Sequence, residues 1–503
     1  MSARAWALLL VLCGTIFLEG IDVAMLAVAV PSIRSDLGLS TGTAAWVMSA
    51  YVLGYAGFTL LGGRAADLLG RRRMFLTWLS VFLVFSGLGG FASEGWMLIV
   101  APFVTGVAAA FMTPAAMSII TTSYEEGQQR NKVLLVFAGT AAGGFSLGLV
   151  IGGLLTQLGW RWVFFAPVLL AGAILVAAIC LVPAGARPVR EGGFDLAGAA
   201  TAAGAMLLMT YGIVRLEHGL AGWGTTVAAA GGGLLLVGLF TVIERRSAAP
   251  LVRLGILRRA SMVRADLGAL LFVGSFMGFQ FVVTLYLQEL RGWSSLETAL
   301  ALLIMGSDAV LAPTLTPRLV NRFGNARVIL GGFLLAIASY ALFLPVGLDW
   351  TYAAMLPTLA LTGTAFALAY GPLAIAATDG VAEAEQGLAG GLLHTSTQFG
   401  SAVGISAVTA VYGLARAGSG AESTLEAFRA ALVVPLVMVV LGAAITLGGL
   451  RGGARRAEGE GKAGEHRETG AGETGKTGES GKTGETGSTA ESGEELSRVG
   501  GGL

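Results

Sequence analysis

The chain has 503 residues, of which 55% are hydrophobic and only 13% are charged, and its mean hydropathy is +0.76. Soluble domains carry about 25% charged residues. A chain of this size cannot cover itself with so few polar groups, so we expect lipid to be its solvent. The formal net charge of +1 gives no reason to expect a nucleic-acid partner.

Long apolar runs follow one another along most of the chain. A membrane-spanning helix needs roughly 20 apolar residues, and by that measure about fourteen spans are predicted. In chain order the predicted spans are 6–30, 43–62, 74–92, 96–120, 134–155, 162–182, 196–214, 225–243, 266–288, 298–316, 328–346, 352–376, 389–412 and 430–449.

A polar segment recurs at one position in each half of the chain. GRAADLLGRRR at 63–73 follows the second span, and PRLVNRFGNAR at 317–327 follows the tenth. Aligned without a gap, the two segments pair Arg64 with Arg318, Asp67 with Asn321, Gly70 with Gly324 and Arg73 with Arg327. Such an internal repeat is typical of duplicated transporter bundles.

The repeat and the span count together predict an all-α membrane protein. We expect a six-helix bundle at 1–182, two inserted helices with cytoplasmic linkers at 183–265, and a second six-helix bundle at 266–450. The tail at 451–503 contains a stretch without aromatic or large aliphatic residues, which predicts a disordered segment. Arg and Lys concentrate in the even-numbered gaps between spans and at the termini. By the positive-inside rule, both termini are therefore predicted to be cytoplasmic.

Four stretches of this chain resemble the major facilitator superfamily, in particular its fourteen-span drug:proton antiporter family. They are IDVAMLAVAVPSI at 21–33, the loop at 63–73, the glycines of span 5, and the segments at 160–165 and 286–294. The loop matches the superfamily signature except that Leu68 stands where a basic residue is usual; its matching residues are Gly63, Asp67, Gly70, Arg71 and Arg72. Span 5 matches except that Leu149 replaces a proline; its matching residues are Gly144, Gly148, Gly152 and Gly153.

This resemblance implies a major facilitator fold and proton-coupled export of hydrophobic or cationic small molecules, of the drug or antibiotic type. The implied protein is a multi-pass transporter of a bacterial plasma (inner) membrane. It works by alternating access as a monomer, with a small-molecule substrate, protons and membrane lipid as its partners. The resemblance implies no cofactor and no metal, and the chain is predicted not to be an enzyme.

One departure from the family leaves an alternative open. LIVAPFVTGVAAA at 98–110 resembles the span-4 motif, but Pro102 stands where the family has an arginine linked to proton coupling. A facilitator or symporter of a small metabolite on the same scaffold is therefore the second hypothesis. A membrane-embedded sensor or enzyme is a third. It would need a large soluble domain or a catalytic cluster, and the sequence shows neither.

Acidic residues inside the predicted spans are the candidates for proton coupling or substrate binding. Glu19 and Asp22 are three residues apart and share a face of span 1. The alternative is that Asp22 caps or packs near the interface while Glu19 bonds a neighbouring helix. Asp308 is interpreted as the only acidic residue deep in the second half. It would bind a cationic substrate or a second proton, or else be satisfied by a nearby Ser or Thr.

The remaining candidates concern gating, packing and substrate contact. Asp67 is predicted to stabilise a helix N-terminus of the opposite half, or to pair with a basic residue there; the alternative is a solvated loop. The span-5 glycines allow close packing, either between the two halves or between neighbouring helices. His394 and Gln398 lie one turn apart on one face and are possible substrate contacts or helix-bridging groups.

Overall fold

The computed structural model describes residues 3–39, 41–124, 126–183, 195–215, 223–247, 254–416, 418 and 420–473. Predictions that fall on 184–194, 216–222, 248–253 and 474–503 lie outside the described residues. The α-helices are α1 (Ala3–Leu37), α2 (Thr41–Leu69), α3 (Arg71–Gly90), α4 (Gly95–Ser123), α5 (Gln128–Leu158), α6 (Trp162–Leu181), α7 (Leu196–Arg215), α8 (Trp223–Arg246), α9 (Ala260–Leu285), α10 (Ser295–Leu302), α11 (Asp308–Thr314), α12 (Thr316–Phe323), α13 (Asn325–Phe343), α14 (Tyr352–Thr378), α15 (Gln386–Ala415) and α16 (Ala421–Glu473).

The described part of the chain is helical and contains no strand, which confirms the predicted all-α class. Twelve helices among the described residues are long and apolar enough to cross a membrane. Helices α2 and α7 match predicted spans in position but fall outside that set of twelve. The membrane-protein class is therefore confirmed, while the count of fourteen spans stays a prediction.

The predicted span at 298–316 is not one continuous helix. It consists of α10, a 3₁₀ segment Leu303–Ser307, and α11, which is followed directly by α12. Pro313 lies inside α11 and Pro317 stands at the beginning of α12. Proline lacks the amide proton and crowds the preceding turn, so both residues interrupt the backbone hydrogen bonds along this part of the chain.

The helices pack mainly within the two halves that the repeat predicts. In the first half α1 packs on α5 and α6, and α4 packs on α2 and α3; in the second half α9 packs on α14 and α15, and α13 packs on α14. Stacked aromatic pairs lie inside each group, with Trp78 on Phe111 at 4.3 Å between ring centroids and Phe279 on Tyr340 at 4.5 Å. The inserted helices α7 and α8 pack against each other, and α7 also contacts α2 and α15.

The repeated polar segment forms the same turn in both halves. Gly70 lies between α2 and α3 with φ 98°, and Gly324 lies between α12 and α13 with φ 82°. Side chains disfavour positive φ, and glycine adopts it at no steric cost. The glycine shared by the two repeats is thus needed to turn the chain from one helix into the next.

The chain divides into two compact units, Met1–Leu450 and Arg451–Leu503. The predicted boundaries at 182/183 and 265/266 have no counterpart in this division and stay predictions. Helix α16 continues as far as Glu473, although the sequence predicted disorder from 451. Residues 451–473 contain Ala, Arg and Glu, which have good helix propensity, but also seven Gly, which has poor propensity, so composition alone does not explain this helix.

Candidate functional site

Asp67, near the end of α2, contacts the first turn of α15. Its Oδ1 accepts a hydrogen bond from the Gly387 N–H at 3.1 Å, and its Oδ2 accepts one from the Leu388 N–H at 3.0 Å. These amides are among the unpaired donors of the α15 N-terminus, where a negative charge is also favoured by the helix dipole. The carboxylate of the first half therefore caps a helix of the second half, and its side chain is only 2% exposed.

Arg71 adds a second contact between the same two parts of the chain. Its guanidinium lies 3.3 Å from Oε1 of Glu383 and donates to the Glu383 backbone carbonyl at 2.6 Å. It also lies 3.8 Å from Asp67. Arg72, by contrast, donates to the carbonyl of Ile179 in α6 at 2.7 Å. Of these two loop arginines, only Arg71 therefore reaches the second half.

Close backbone packing accompanies these contacts. A methyl group at Gly63 would collide with the carbonyl oxygen of Gly387 and would lie 3.0 Å from Cα of Gly391. A methyl group at Gly387 would lie 2.7 Å from Oδ1 of Asp67. Glycine at 63 and 387 therefore lets α2 approach α15 closely enough for Asp67 to reach the amides.

Arg130 makes a third link that the sequence analysis did not single out. It stands in the first turn of α5 and is 2% exposed. Its Nη2 donates to the carbonyl of Thr378 at 3.2 Å and lies 3.5 Å from Oε1 of Gln386, while Nη1 pairs with Glu126 at 2.9 Å. A guanidinium buried against the carbonyl of Thr378, the last residue of α14, suits the negative end of that helix. In the sequence, Arg130 looked like one of many loop arginines.

We call the set Asp67, Arg71, Arg130, Glu383 and the start of α15 the helix-end clamp. It joins the first half to the turn between α14 and α15 at one end of the molecule. A positive side chain meets the carbonyl end of α14 and a negative side chain meets the amide end of α15. The clamp therefore complements both helix ends that flank this turn.

The span-1 acids have different surroundings. Oε2 of Glu19 accepts a hydrogen bond from Thr113 in α4 at 2.7 Å. Tyr55 of α2 also hydrogen-bonds Glu19, and Tyr370 of α14 interacts with it electrostatically. Asp22 is 8% exposed. Glu19 is thus in reach of both halves.

A small cavity of about 10 Å³ lies beside Asp22, and such a space holds about one water. Its lining comes from α1, α3, α4 and α6, all in the first half, and includes Ser86, Pro102 and Thr105. Pro102 and Asp22 thus border the same space. No basic side chain among the described residues lines this cavity, so Asp22 lies beside a water-sized space and has no arginine in its lining.

The span-5 glycines pack mostly within the first half. A methyl group at Gly144 would lie 2.7 Å from the carbonyl oxygen of Phe17, and one at Gly148 or Gly152 would lie 2.8 Å from Cα of a residue in α1. Gly153 alone of the four faces the second half, 3.6 Å from Leu296. The stripe therefore seats the helix that carries Glu19 and Asp22, because its spacing of four residues presents one face to α1.

Asp308 is 0% exposed at the first position of α11. Neither of its carboxyl oxygens accepts a hydrogen bond from a side chain among the described residues, and the hydroxyl of Ser307 has no partner there either. The backbone N–H groups of Asp308 and Ala309 are in reach of the carboxylate. The expected alternative, satisfaction by a nearby Ser or Thr, is therefore wrong for the described structure.

Asp308 is also not the only deep acid of the second half. Asp266 is 6% exposed. The span predicted from sequence began at residue 266, just after the charged Arg264. Helix α9 begins earlier, at Ala260, so Asp266 lies inside the helix and not at its edge.

His394 and Gln398 lie on α15. His394 is 4% exposed, and its Nε2 has no hydrogen-bond partner in the described part of the chain. With Met117, Phe137 and Tyr370 it lines a second cavity of about 10 Å³. The lining comes from α1, α4 and α5 of the first half and from α14 and α15 of the second. Gln398 is partly buried and does not line this cavity.

Two groups of packed helices, joined by the helix-end clamp and with buried polar groups between them, fit a multi-pass membrane transporter. The chain belongs to the major facilitator superfamily, whose family model matches residues 12–405. It is 33% identical over 406 residues to the puromycin resistance protein pur8 of Streptomyces alboniger, and this alignment covers 78% of each chain. It is 33% identical over 417 residues to the cephamycin export protein CmcT of Amycolatopsis lactamdurans, covering 78% of this chain and 82% of the relative.

A solved structure shares the fold. The human organic anion transporter MFSD10 (TETRAN) superposes with a TM-score of 0.62 at 15% identity, covering 87% of this chain and 100% of that one. At this identity the likeness concerns the fold alone. The expected major facilitator fold is therefore confirmed.

Proposed function

We propose that this chain is a secondary efflux transporter that exports antibiotic-like small organic molecules from a bacterial cell in exchange for protons. Export is supported by relatives named for puromycin resistance and cephamycin export. The observation that carries the mechanism is the cap that Asp67 places on the N-terminus of α15. This contact joins two halves that alternating access must separate.

In the proposed cycle, the helix-end clamp is the cytoplasmic gate, and the structure represents the state in which this gate is closed. The gate end carries most of the loop arginines, which supports a cytoplasmic position. To open, α15 must lose its hydrogen bonds to Asp67 and Arg130, and α14 must lose the one from Arg130 to Thr378. The turn between these helices must also lose the contacts of Arg71 with Glu383. Because each of them is a local contact at a helix end, the gate can break without disturbing the packing inside the first half.

Protons are proposed to bind at the span-1 acids. An uncompensated carboxylate inside a membrane protein is expensive unless it is paired or protonated, and no arginine stands at position 102. Glu19 lies between α4, α2 and α14, so protonation there changes contacts that span both halves. Asp22 faces a space for about one water. Asp308 is proposed to bind a second proton or the charge of a cationic substrate.

The substrate is proposed to bind between the halves, near the cavity that His394 lines. The neighbouring Met117, Phe137 and Tyr370 offer apolar and aromatic surface, while His394 and Glu19 offer polar contacts. Gln398, one turn further along α15, extends the same polar face. This lining suits hydrophobic or cationic organic molecules. We propose a monomer in the plasma membrane with both termini in the cytoplasm.

Export and its coupling can be tested in cells that lack their own efflux pumps. Expression of the chain should lower the accumulation of at least one dye or antibiotic, and a protonophore should restore accumulation. Export that ignores the protonophore would favour the facilitator hypothesis, to which Pro102 gives some support. Absence of export for every compound, in protein shown to reach the membrane, would contradict the proposed function.

A further inference from the structure

Asp266 is a buried acid that the proposed cycle leaves without a role. It lies six residues after Ala260, the first residue of α9, which places it roughly 9 Å along that helix at 1.5 Å per residue. Arg259, just before α9, donates a hydrogen bond to the carbonyl of Gly380 in the turn between α14 and α15. Asp266 therefore lies about two helical turns inward from the turn that the clamp holds.

The face of α9 that carries Asp266 packs directly on α15. Leu270 and Gly274 follow Asp266 at intervals of four residues and so lie on its side of α9. A methyl group at Gly400 would collide with the carbonyl oxygen of Leu270, and one at Gly404 would collide with the carbonyl oxygen of Gly274. The two backbones are thus in contact one turn from Asp266, on the same helix that Asp67 caps.

In the described part of the chain, Asp266 has no partner that would stabilise a negative charge. Both of its carboxyl oxygens are buried and lack a hydrogen-bond partner among the described residues. Ionisable groups lie on α9 and its flank (Arg258, Arg259, Arg264), on α14 and the turn after it (Tyr352, Tyr370, Asp379, Glu383, Glu385), on α15 (His394, Tyr412) and on α16 (Glu422, Glu426, Arg429). Among the described residues, none of them forms an ion pair with Asp266.

The nearest of these basic groups point elsewhere. Arg264 lies against Gly449 in α16, since a methyl group there would be 2.9 Å from its Nε. Arg259 is bonded to Gly380. A carboxylate that is buried without partners is far less stable than the neutral acid, so in this closed state Asp266 must carry a proton.

We propose that Asp266 is a proton-binding site of the second half, occupied while the helix-end clamp is closed and emptied when α15 leaves the clamp. The proposal rests on the proposed alternating-access function and extends it. The step is a simple proton exchange: the carboxylate accepts one proton to give the carboxylic acid, and on opening it returns that proton to water in the cytoplasm. Each opening through this site thus carries one proton inward.

The test follows the gate directly and needs no substrate. Spin labels are placed on exposed positions in the two repeated turns, Arg73→Cys and Arg318→Cys, in full-length protein with Cys13 and Cys180 replaced by Ala. The distance between labels is measured across pH. The reference protein should gain an open population as the pH rises, whereas Asp266→Asn, which stays neutral, should remain closed.

Asp266→Glu is the matched variant, since it keeps a titratable group and should keep the opening. Opening of Asp266→Asn with the same pH midpoint as the reference would overturn the proposal. If Asp266→Asn does not fold, the infrared band of protonated carboxyl groups is followed in a background with Glu19→Gln, Asp22→Asn and Asp308→Asn. That band should decrease at the pH where the labels separate, and an unchanged band would also overturn the proposal.

The outcome is separable from that of the efflux assay. A gate that titrates through Asp266 in a chain that exports no compound would contradict the proposed function and leave this site standing. Efflux that is proton-driven, with a gate whose pH response ignores Asp266, would contradict this site and leave the proposed function standing.

Discussion

Arg130 of α5 donates a hydrogen bond to the carbonyl of Thr378 at the last residue of α14, at 3.2 Å. Eight residues further on, α15 begins, and Asp67 accepts hydrogen bonds from its first turn. The two ends of this short turn carry opposite partial charges. The first half therefore holds the turn by matching both charges, which neither Asp67 nor Arg130 could do alone.

Replacing Arg130 with Met should weaken the closed gate. A hydrogen bond from a charged group contributes roughly 1.5–3 kcal/mol, so the ratio of closed to open protein should fall by about tenfold or more. Arg130→Lys keeps the positive charge but loses the planar guanidinium, so its ratio of closed to open protein should lie between those of the wild type and Arg130→Met. Label distances at Arg73 and Arg318 measure the ratio. Arg327→Met, an exposed arginine of the second repeat, is the control and should leave the ratio unchanged.

Asp67→Ala should reduce transport while leaving membrane insertion intact, because its contacts lie between the halves and not within one. Loss of a helix-capping side chain costs about 0.5–2 kcal/mol. Here the loss destabilises the closed state relative to the open state. Efflux rate and surface expression are measured together. Asn321, exposed at the equivalent position of the second repeat, provides the control Asn321→Ala. Wild-type transport by well-expressed Asp67→Ala protein would contradict a gating role for Asp67 and leave the loop arginines only their role in membrane topology.

Glu19→Gln and Asp22→Asn should separate substrate binding from proton coupling. Both keep the shape of the side chain and remove its titration, so at least one should abolish efflux driven by a proton gradient while still permitting substrate exchange. Proteoliposomes with an imposed pH gradient measure the first, and counterflow measures the second. Glu422→Gln, at an exposed acid in the first turn of α16, should behave as wild type. Undiminished pumping by both amides from pH 6 to 8 would move the coupling site elsewhere.

Gly63→Ala should impair closure of the gate. The new methyl group would collide with the carbonyl oxygen of Gly387, so α2 and α15 must separate and Asp67 must lose the amides. We expect an effect on the gate similar to that of Asp67→Ala, of roughly 1–2 kcal/mol. Gly331→Ala in α13 is the matched control, because nothing lies within 4 Å of its new methyl group. Equal label distances in the two variants would show that the close approach is dispensable.

Asp308→Asn should distinguish a substrate charge from a proton site. If Asp308 binds a cationic substrate, the variant should raise the KM for cations by about tenfold, corresponding to ~1.4 kcal/mol, and leave neutral substrates unaffected. If Asp308 binds a proton instead, transport of both classes should fall together. Efflux of a matched pair of a cationic and a neutral dye measures the difference. No change for either dye would exclude both roles.

The sequence alone determined the solvent of this protein and its internal repeat. Low charge and long apolar runs show that a segment is more stable in lipid than in water. This preference depends only on the residues of that segment, so the sequence is enough to predict it. The repeated turn could also be predicted, because Gly70 and Gly324 are needed wherever a tight turn requires positive φ. Asp67 was predicted to meet a helix N-terminus in the opposite half; the structure places it on α15, while its role in gating stays a prediction.

Only the tertiary structure decided which helices meet and which charges find partners. Arg130 looked like a topology signal until α14 supplied its carbonyl, and Asp266 looked like the edge of a span until α9 proved longer. The glycines of span 5 could have faced either half, and three of the four face α1. Helical periodicity says which residues share a face, but the partner of that face depends on contacts between segments hundreds of residues apart, which no local pattern records.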